Sequence, residues 1–246
     1  MKNQFKTLLI FIFILTIGCS KDDVNPIIPT EPEEQAFICP EVSTPTNAGV
    51  TNDNHVVVWT DGIIPYAFEE DVPQEQRAII LDAMATYENI ANVDYIEYSI
   101  DDLLKFPPGL LIKNSGAVQS SVYPSGMPEY ISDFRVADIG WFTPSAALHE
   151  LGHNLGRPHE HQLANALDYM IIDYNNIDTE WRGNYCPTEV IFLTPVELTS
   201  NMAYGAYDAA KDQSKPVITD LQGKTYEASD TLTELDKKKY LELYPF

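Results

Sequence analysis

The stretch AALHELGHNLGRPHEHQ, residues 146–162, contains four of the five histidines in a chain of 246 residues. Helix formers dominate its first half, and positions i and i+4 of a helix lie on one face. A helix here therefore directs His149 and His153 to the same side, with Glu150 one position round from the first. The spacing predicts that two imidazoles bind one metal ion.

The residues after this helix supply a third ligand. Gly156 permits the turn that ends the helix, and His159 can return from the following loop to complete a three-nitrogen site. Three neutral nitrogens and an open fourth position suit a catalytic zinc ion, which lowers the pKa of bound water to about 7. Glu150, beside that water, is the expected general base and later proton donor.

A longer set of motifs resembles a known family. HELGHNLGRPH, residues 149–159, resembles the metzincin signature of zinc endopeptidases. HEHQ at 159–162 and TSNMAYG at 199–205 look like the astacin family within the metzincins. WTDGIIPYAF at 59–68 and LTELDKKKYLELYP at 232–245 resemble that family's opening strand and closing helix, which disfavours another metzincin family with the same ligands.

The resemblance implies a function and further site residues. It implies a zinc-dependent endopeptidase that hydrolyses protein or peptide substrates and carries one Zn²⁺ ion. Met202 would form the methionine turn beneath the metal, and Tyr204 would ligate zinc at rest and stabilise the oxyanion during attack. A substrate would add as an extended strand at the sheet edge near 130–134. The alternative is a non-catalytic surface-binding lipoprotein with a structural zinc site, although such sites usually close all four positions with protein ligands.

Glu160 matches the family carboxylate that receives the buried ammonium of a cleaved mature N-terminus. No lysine or arginine lies between Lys21 and Arg77, so tryptic cleavage near Gly49 is impossible in this chain. We therefore predict that activity needs no tryptic removal of a propeptide. Glu160 is then satisfied by water or by another side chain.

Hydrophobic periodicity and turn residues predict a mixed sheet with helices, and the resemblance implies an α+β fold of the metzincin type. A mixed sheet and the active-site helix would form the upper part, and the lower part would be irregular with a C-terminal helix. The cleft would lie between 49–156 and 157–246. The predicted strands are 55–59, 63–68, 93–100, 109–113 and 129–134, and the predicted helices begin at Pro73, at Pro144 after the N-cap Thr143, and near Thr231.

The N-terminus has the pattern of an exported lipoprotein. Residues 1–18 resemble a bacterial lipoprotein signal peptide that ends before Cys19, the residue to be lipidated, and an ordinary secretory signal is the alternative. Residues 19–48 are rich in Pro, Glu and Thr and predict a flexible tether. SKDD at 20–23 looks like a tag for the outer face of the outer membrane, so the catalytic domain, 49–246, is expected at the cell surface on a membrane anchor.

Charge and cysteine content limit the partners. The formal net charge of −22 disfavours nucleic acid and anionic membrane surfaces. We expect a monomer. Cys39 and Cys186 leave three alternatives open, which are one disulfide, two free thiols, or Cys39 as a thiolate on the metal.

Overall fold

The computed structural model describes most of residues 58–246. The described residues are 37, 39, 58–103, 105, 109–114, 121–123, 134–138 and 143–246, with the backbone alone at 121–123 and 134–138. The predicted signal peptide, Cys19 and all of the predicted tether except Phe37 and Cys39 lie outside them. Each helix in the described part of the chain is too short or too polar to span a membrane.

The described residues form helices and strands in alternation, followed by a less regular region. The strands are β1 (Ile63–Phe68), β2 (Asp94–Glu97), β3 (Gly109–Lys113), β4 (Ser121–Tyr123), β5 (Phe134–Asp138), β6 (Met170–Ile172) and β7 (Ile218–Asp220). The helices are α1 (Gln74–Ile90), α2 (Ile100–Leu103), α3 (Pro144–Asn154) and α4 (Glu234–Leu243).

The first five strands make one mixed sheet in the order β2-β1-β3-β5-β4. β1 runs parallel to β2 and β3, β3 runs parallel to β5, and β4 is antiparallel to β5. β6 and β7 form a separate antiparallel pair. The sheet and the helices confirm the predicted α+β class.

The core lies where the sheet meets α1 and α3. Side chains alternate across a strand, and Ile64, Tyr66 and Phe68 of β1 are buried while Ile63 is exposed. They belong to one apolar cluster with Tyr87 of α1 and Leu151 of α3. This packing fixes α3, and with it the predicted metal ligands, against the sheet.

Three predicted strands differ from the structure. Val58 and Trp59 are not in a strand, because the Trp59 N–H donates to the Tyr244 hydroxyl at 3.1 Å instead of to a sheet partner; 55–57 lie outside the described residues. β2 ends at Glu97, since the Ser99 hydroxyl accepts from the Asp102 N–H in the first turn of α2. The strand predicted at 129–134 continues to Asp138 as β5, which contains Phe134, and 129–133 lie outside the described residues.

The predicted substrate edge near 130–134 stays a prediction, because 130–133 lie outside the described residues. Phe134 pairs with Gly109 of β3, and the described part of β4 pairs with 136–138 of β5. Among the described strands, β4 (Ser121–Tyr123) lies at the edge of the sheet, and it contacts α3.

The ends of α3 are fixed by side chains. Thr143 accepts from the Ala146 N–H at 3.1 Å as the predicted N-cap, and Pro144 takes the first position. At the other end, Trp59 Nε1 donates to the Asn154 carbonyl at 3.0 Å. Gly156 follows with φ of 99°, a conformation that favours glycine, so the helix ends as predicted.

The region after α3 is built mainly from short 3₁₀ turns. One of them, Arg182–Tyr185, precedes Cys186, which forms a disulfide with Cys39 across a separation of 147 residues. Of the three alternatives for these cysteines, the structure therefore selects pairing. The neighbouring Phe37 ring lies 6.2 Å from that of Tyr174, so Phe37 and Cys39 lie against this region.

Candidate metal centre

Three imidazoles converge at the start of the irregular region. His149 and His153 project from one face of α3, and His159 returns from the loop beyond Gly156. The Nε2 atoms of His149 and His153 are 3.1 Å apart, and His159 Nε2 lies 3.2 Å and 3.1 Å from them. The structure therefore brings the three predicted ligands to one point.

The other ring nitrogen, Nδ1, already makes a hydrogen bond in both His149 and His153. His149 Nδ1 donates to the Asn201 carbonyl at 2.7 Å, and His153 Nδ1 donates to the Arg157 carbonyl at 2.6 Å. Carbonyl oxygens only accept, so these nitrogens carry the ring hydrogens.

The Nδ1 atom of His159 is hydrogen-bonded as well, in this case to a side chain. Its Nδ1 lies 2.9 Å from Oε1 of Gln162, which also accepts from the His159 N–H. With each hydrogen on Nδ1, the three Nε2 atoms present lone pairs to one another. Such an arrangement favours a cation between them.

Burial keeps the three rings neutral. It lowers the pKa of His149, lowers the pKa of His153 to about 3, and lowers the pKa of His159 well below the ordinary value. A neutral imidazole is the form that binds metal.

The donor set fits zinc. Zn–N bonds of about 2.0–2.1 Å in tetrahedral geometry place ligand nitrogens about 3.3–3.4 Å apart, close to the separations observed here. Three neutral nitrogens and no fourth ligand among the grouped side chains correspond to a site with an open position.

Glu150 lies directly beside the ligands on α3. It is buried, and among the described residues its Oε2 has no hydrogen-bond partner. Burial raises the pKa of Glu150 to about 8. A positive charge in the site opposes this rise and favours the carboxylate.

The methionine turn, which contains Met202, packs against α3. Met202 is fully buried, and a Cβ at Gly152 would come within 2.6 Å of its sulfur and 2.3 Å of the Tyr240 hydroxyl. Glycine at 152 thus allows α3 to approach the turn, whose Asn201 carbonyl orients His149.

Tyr204 follows this turn and stands beside the third ligand. Its ring centroid is 4.3 Å from that of His159 and 4.5 Å from that of His161. Burial, with repulsion from Asp208, raises the pKa of Tyr204 to about 12, so its hydroxyl is a donor at neutral pH. The structure thus places the five predicted site residues together.

A buried cluster of charged side chains lies next to the site. Its members are Arg157, Glu160, Asp236 and Lys239. Both oxygens of Glu160 lie 2.7 Å from Lys239 Nζ, and Arg157 also donates to Glu160. Asp236 accepts from Arg157 at 3.4 Å and from the Asn201 N–H at 3.1 Å. Burial lowers the pKa of Lys239, and Glu160 partly opposes this shift.

The cluster supplies the partner that was predicted for Glu160, which was either water or another side chain. Its partner is a side chain, Lys239, together with Arg157, and all three side chains are fully buried. Sequence reasoning missed Lys239, because it ends a run of three lysines that has the pattern of an exposed surface. The available signal was its helix face, which it shares with the buried Asp236 and Leu243.

Gln162, Asn184 and Asn201 were also missed. Gln162 and the Asn201 carbonyl hold His159 and His149, and the Asn184 carbonyl holds Gln162 and His161. Such roles have no spacing signature in the sequence. Only HEHQ, which brings Gln162 close to His159, offered a local signal.

Comparison with known proteins agrees with this geometry. The model of the astacin peptidase family matches residues 51–244. Astacin-like metalloprotease toxin 1 from Loxosceles intermedia is 29% identical over 210 residues, covering 76% of this chain and 71% of the toxin. Zinc metalloproteinase nas-14 from Caenorhabditis elegans is 26% identical over 193 residues, covering 76% of this chain and 37% of nas-14.

Solved structures show the same fold. High choriolytic enzyme 1, a hatching enzyme zinc-protease from Oryzias latipes, matches with a TM-score of 0.65 and 17% identity, covering 84% of this chain and 98% of that one. Myroilysin matches with a TM-score of 0.57 and 18% identity, covering 77% and 96%. The predicted metzincin fold is confirmed, and the chain belongs to the astacin family of zinc metalloendopeptidases.

Proposed function

We propose that this chain hydrolyses peptide bonds with a water molecule activated at the three-histidine site, with Glu150 as the general base. The observation that carries the proposal is the convergence of three Nε2 lone pairs beside a buried carboxylate oxygen that has no partner among the described residues. A purely structural zinc site would not need that carboxylate.

His149, His153 and His159 would hold the zinc ion. Bound there, zinc supplies Lewis-acid chemistry, because it polarises a carbonyl and makes water more acidic. The chain contributes fixed ring orientations through the Asn201 and Arg157 carbonyls and Gln162.

Glu150 and Tyr204 have complementary roles in this proposal. Glu150 accepts a proton from the attacking water and later passes it to the leaving amine nitrogen. Tyr204 donates its O–H to the carbonyl oxygen as negative charge develops there. The raised pKa of Tyr204, about 12, supports this role because it keeps the proton on the phenol.

The substrate is proposed to lie in a cleft between 49–156 and 157–246, extended along β4. Among the described strands, none pairs with the outer edge of β4, and β4 contacts the helix that carries His149 and His153. A sheet edge recognises an extended peptide through main-chain hydrogen bonds.

We further propose that the protein works outside the cytoplasm as a monomer, anchored through lipid on Cys19 to the outer membrane. The disulfide between Cys39 and Cys186 supports export, since such bonds persist in oxidising compartments. The lipid anchor itself rests on the sequence resemblance of 1–18 to a lipoprotein signal.

Activity is also proposed to need no tryptic removal of an N-terminal segment. Lys239 and Arg157 already neutralise Glu160 within the folded chain. N-terminal sequencing of the active protein tests this. A start near residue 50 contradicts the proposal, and a start before Cys39 supports it.

The main experiment compares casein and gelatin hydrolysis by zinc-loaded wild type and Glu150→Ala, with zinc content measured on both. We expect the variant to keep its zinc and to lose about 10²–10⁴-fold in kcat. Chelation should abolish hydrolysis, and added zinc should restore it. Glu75→Ala, at an exposed glutamate in the first turn of α1, is the matched control and should keep wild-type activity.

The outcomes separate the two candidate functions. Zinc binding with no hydrolysis by wild type favours the non-catalytic surface-binding lipoprotein. Equal hydrolysis by wild type and Glu150→Ala overturns the role of Glu150.

A further inference from the structure

His161 is the histidine of the stretch 146–162 that the metal centre does not use. It lies on the 3₁₀ turn Glu160–Gln162, two residues after the third ligand, His159, and only 2% of its surface is exposed. The converging ligand atoms belong to the other three histidines of the stretch. A fourth imidazole is thus buried beside the site without a part in the proposed metal binding.

A single hydrogen bond holds one edge of the His161 ring. Its Nε2 donates to the Asn184 carbonyl at 3.0 Å, and the same carbonyl accepts from Gln162 Nε2 at 2.9 Å. Carbonyl oxygens only accept, so the ring hydrogen of His161 is on Nε2, the nitrogen that the three ligands leave free for a metal ion. Among the described residues, Nδ1 of His161 has no hydrogen-bond partner. Packing of the ring faces therefore accounts for the other contacts of this side chain.

The His161 ring packs against three other rings. Its plane lies 18° from that of His159, with the two centroids 5.3 Å apart. Its centroid is 4.5 Å from that of Tyr204 and 4.8 Å from that of Tyr185. His161 thus contacts both the third ligand and the proposed donor to the oxyanion.

The Tyr204 ring is confined by the same group of rings. The His159 ring lies 4.3 Å from it at an interplanar angle of 62°, and the Tyr185 ring lies 5.4 Å from it at 76°. The Tyr204 carbonyl accepts from the Tyr226 hydroxyl at 2.9 Å, which fixes the backbone. The direction of the Tyr204 side chain therefore depends on the rings that surround it, His161 among them.

Tyr185 gives His161 a fixed support. It is fully buried, and its hydroxyl donates to the Asp208 carbonyl at 2.6 Å. The next residue, Cys186, is joined to Cys39. A ring that packs on Tyr185 and is bonded to the adjacent Asn184 carbonyl has little freedom to move, so it can restrain Tyr204.

We propose that His161 is a positioning residue for Tyr204, whose ring confines the phenol beside His159 so that the hydroxyl reaches the substrate carbonyl. This rests on the proposed function, in which Tyr204 donates to the developing oxyanion. His161 acts through Tyr204 and needs no contact with the substrate, so its loss should lower kcat and leave KM unchanged. His159 keeps its own hydrogen bond to Gln162, so zinc affinity should not change.

The first test separates the ring of His161 from its hydrogen bond, in the zinc-loaded full chain. His161→Phe keeps a flat ring and loses the donor, whereas His161→Gln keeps an amide donor in place of Nε2 and loses the ring. The probe is a quenched fluorescent peptide that copies a casein bond cleaved by the wild type. We expect His161→Phe to stay within about three-fold of the wild-type kcat, and His161→Gln to lose about ten-fold because the Tyr204 hydroxyl is no longer held in place.

A double-mutant cycle tests whether the effect passes through Tyr204. Tyr204→Phe should lose roughly 10²-fold in kcat, since a donor to the oxyanion is removed. In that background, His161→Gln should cost less than about two-fold, because no hydroxyl remains to be positioned. Phe246→Gln removes a ring that is 83% exposed at the C-terminus and is the control, which should match wild type.

Two measurements without turnover complete the test. Zinc affinity, measured by competition with a chelator, should be equal in wild type and in both variants at position 161. A phosphinate analogue of the peptide has a tetrahedral centre that imitates the developing oxyanion. Calorimetry should show that this analogue binds His161→Gln about ten-fold more weakly than it binds wild type, in step with the loss of kcat.

The contrary results are distinct from failure of the proposed function. Equal losses of kcat from the two substitutions at 161, equal losses from His161→Gln in both backgrounds, or zinc affinity that falls in step with kcat each overturn the positioning role while hydrolysis stands. If His161→Gln does not fold, His161→Phe decides, because a ten-fold loss of kcat in that variant overturns the role of the ring. No hydrolysis by the zinc-loaded wild type overturns the proposed function itself.

Discussion

The two parts of the molecule that meet at the site hold their residues in different ways. In 58–156, the sheet, α1 and α3 fix the backbone through ladder and helix bonds, and His149 and His153 follow from their spacing on α3. In 157–246, short turns predominate. There the Gln162 side chain holds His159, and the Tyr204 ring lies against the rings of His159 and His161. The site therefore depends on regular backbone to place His149 and His153, and on side-chain contacts to place His159 and Tyr204.

This difference determines what each part tolerates. Regular elements share their stability among many equivalent bonds, so they respond mainly to changes in packing. An irregular region relies on a few buried polar groups, and each unsatisfied one costs free energy. Single polar substitutions should therefore cost most in the C-terminal part, beginning with the ion cluster.

The largest expected effect comes from Lys239→Met. It leaves Glu160 buried with one cation fewer, so the free energy of unfolding should fall by about 3–5 kcal/mol. Denaturant unfolding of variant and wild type measures the change. The double variant Glu160→Gln with Lys239→Met removes the unpaired charge and should recover most of the loss.

Lys237→Met, on the same helix, is the matched control. Lys237 pairs with the exposed Glu234 at 2.6 Å, and solvent screens such a surface pair, so this variant should cost far less than Lys239→Met. If the two lysine variants cost the same, the buried cluster does not stabilise the C-terminal part.

The second effect concerns the disulfide that joins Cys39 to the C-terminal part. Replacing both cysteines with serine should lower the free energy of unfolding by about 2–4 kcal/mol, because the unfolded chain gains freedom. Reduction of the wild type should reproduce the change, and reductant should have no effect on the double variant. An unfolding midpoint that is insensitive to reductant in both proteins would contradict this.

The third effect tests packing in the regular part. Gly152→Ala places a Cβ against Met202 and Tyr240, so we expect a loss of about 1–3 kcal/mol in the free energy of unfolding. Gly183→Ala is the control, since a Cβ there meets nothing within 4 Å, and it should change stability by less than about 0.5 kcal/mol. Equal losses of unfolding free energy in the two variants would show that close packing of α3 against the Met202 turn does not depend on Gly152.

The same difference explains what the sequence could predict. β1, β3 and α3 follow from local patterns, and the ligand set follows from i, i+4 spacing with a glycine stop. Strand bounds were less accurate where a side chain intervened, as at Trp59 and Ser99. Lys239 could not be paired with Glu160 because 79 residues separate them, and only the folded chain brings them together.

The smallest expected effect compares two helix caps, one in each part. Thr143 caps α3 by accepting from the Ala146 N–H, so Thr143→Ala should cost about 1 kcal/mol of unfolding free energy. Thr233 caps α4 through the Asp236 N–H and also donates its hydroxyl to Glu197 at 2.5 Å. Thr233→Ala therefore loses a cap and a second bond, and should cost about 2 kcal/mol of unfolding free energy.

Denaturant unfolding of the Thr143→Ala and Thr233→Ala variants measures the difference. A larger loss at Thr143 would mean that the regular part depends on side-chain bonds as much as the irregular part does.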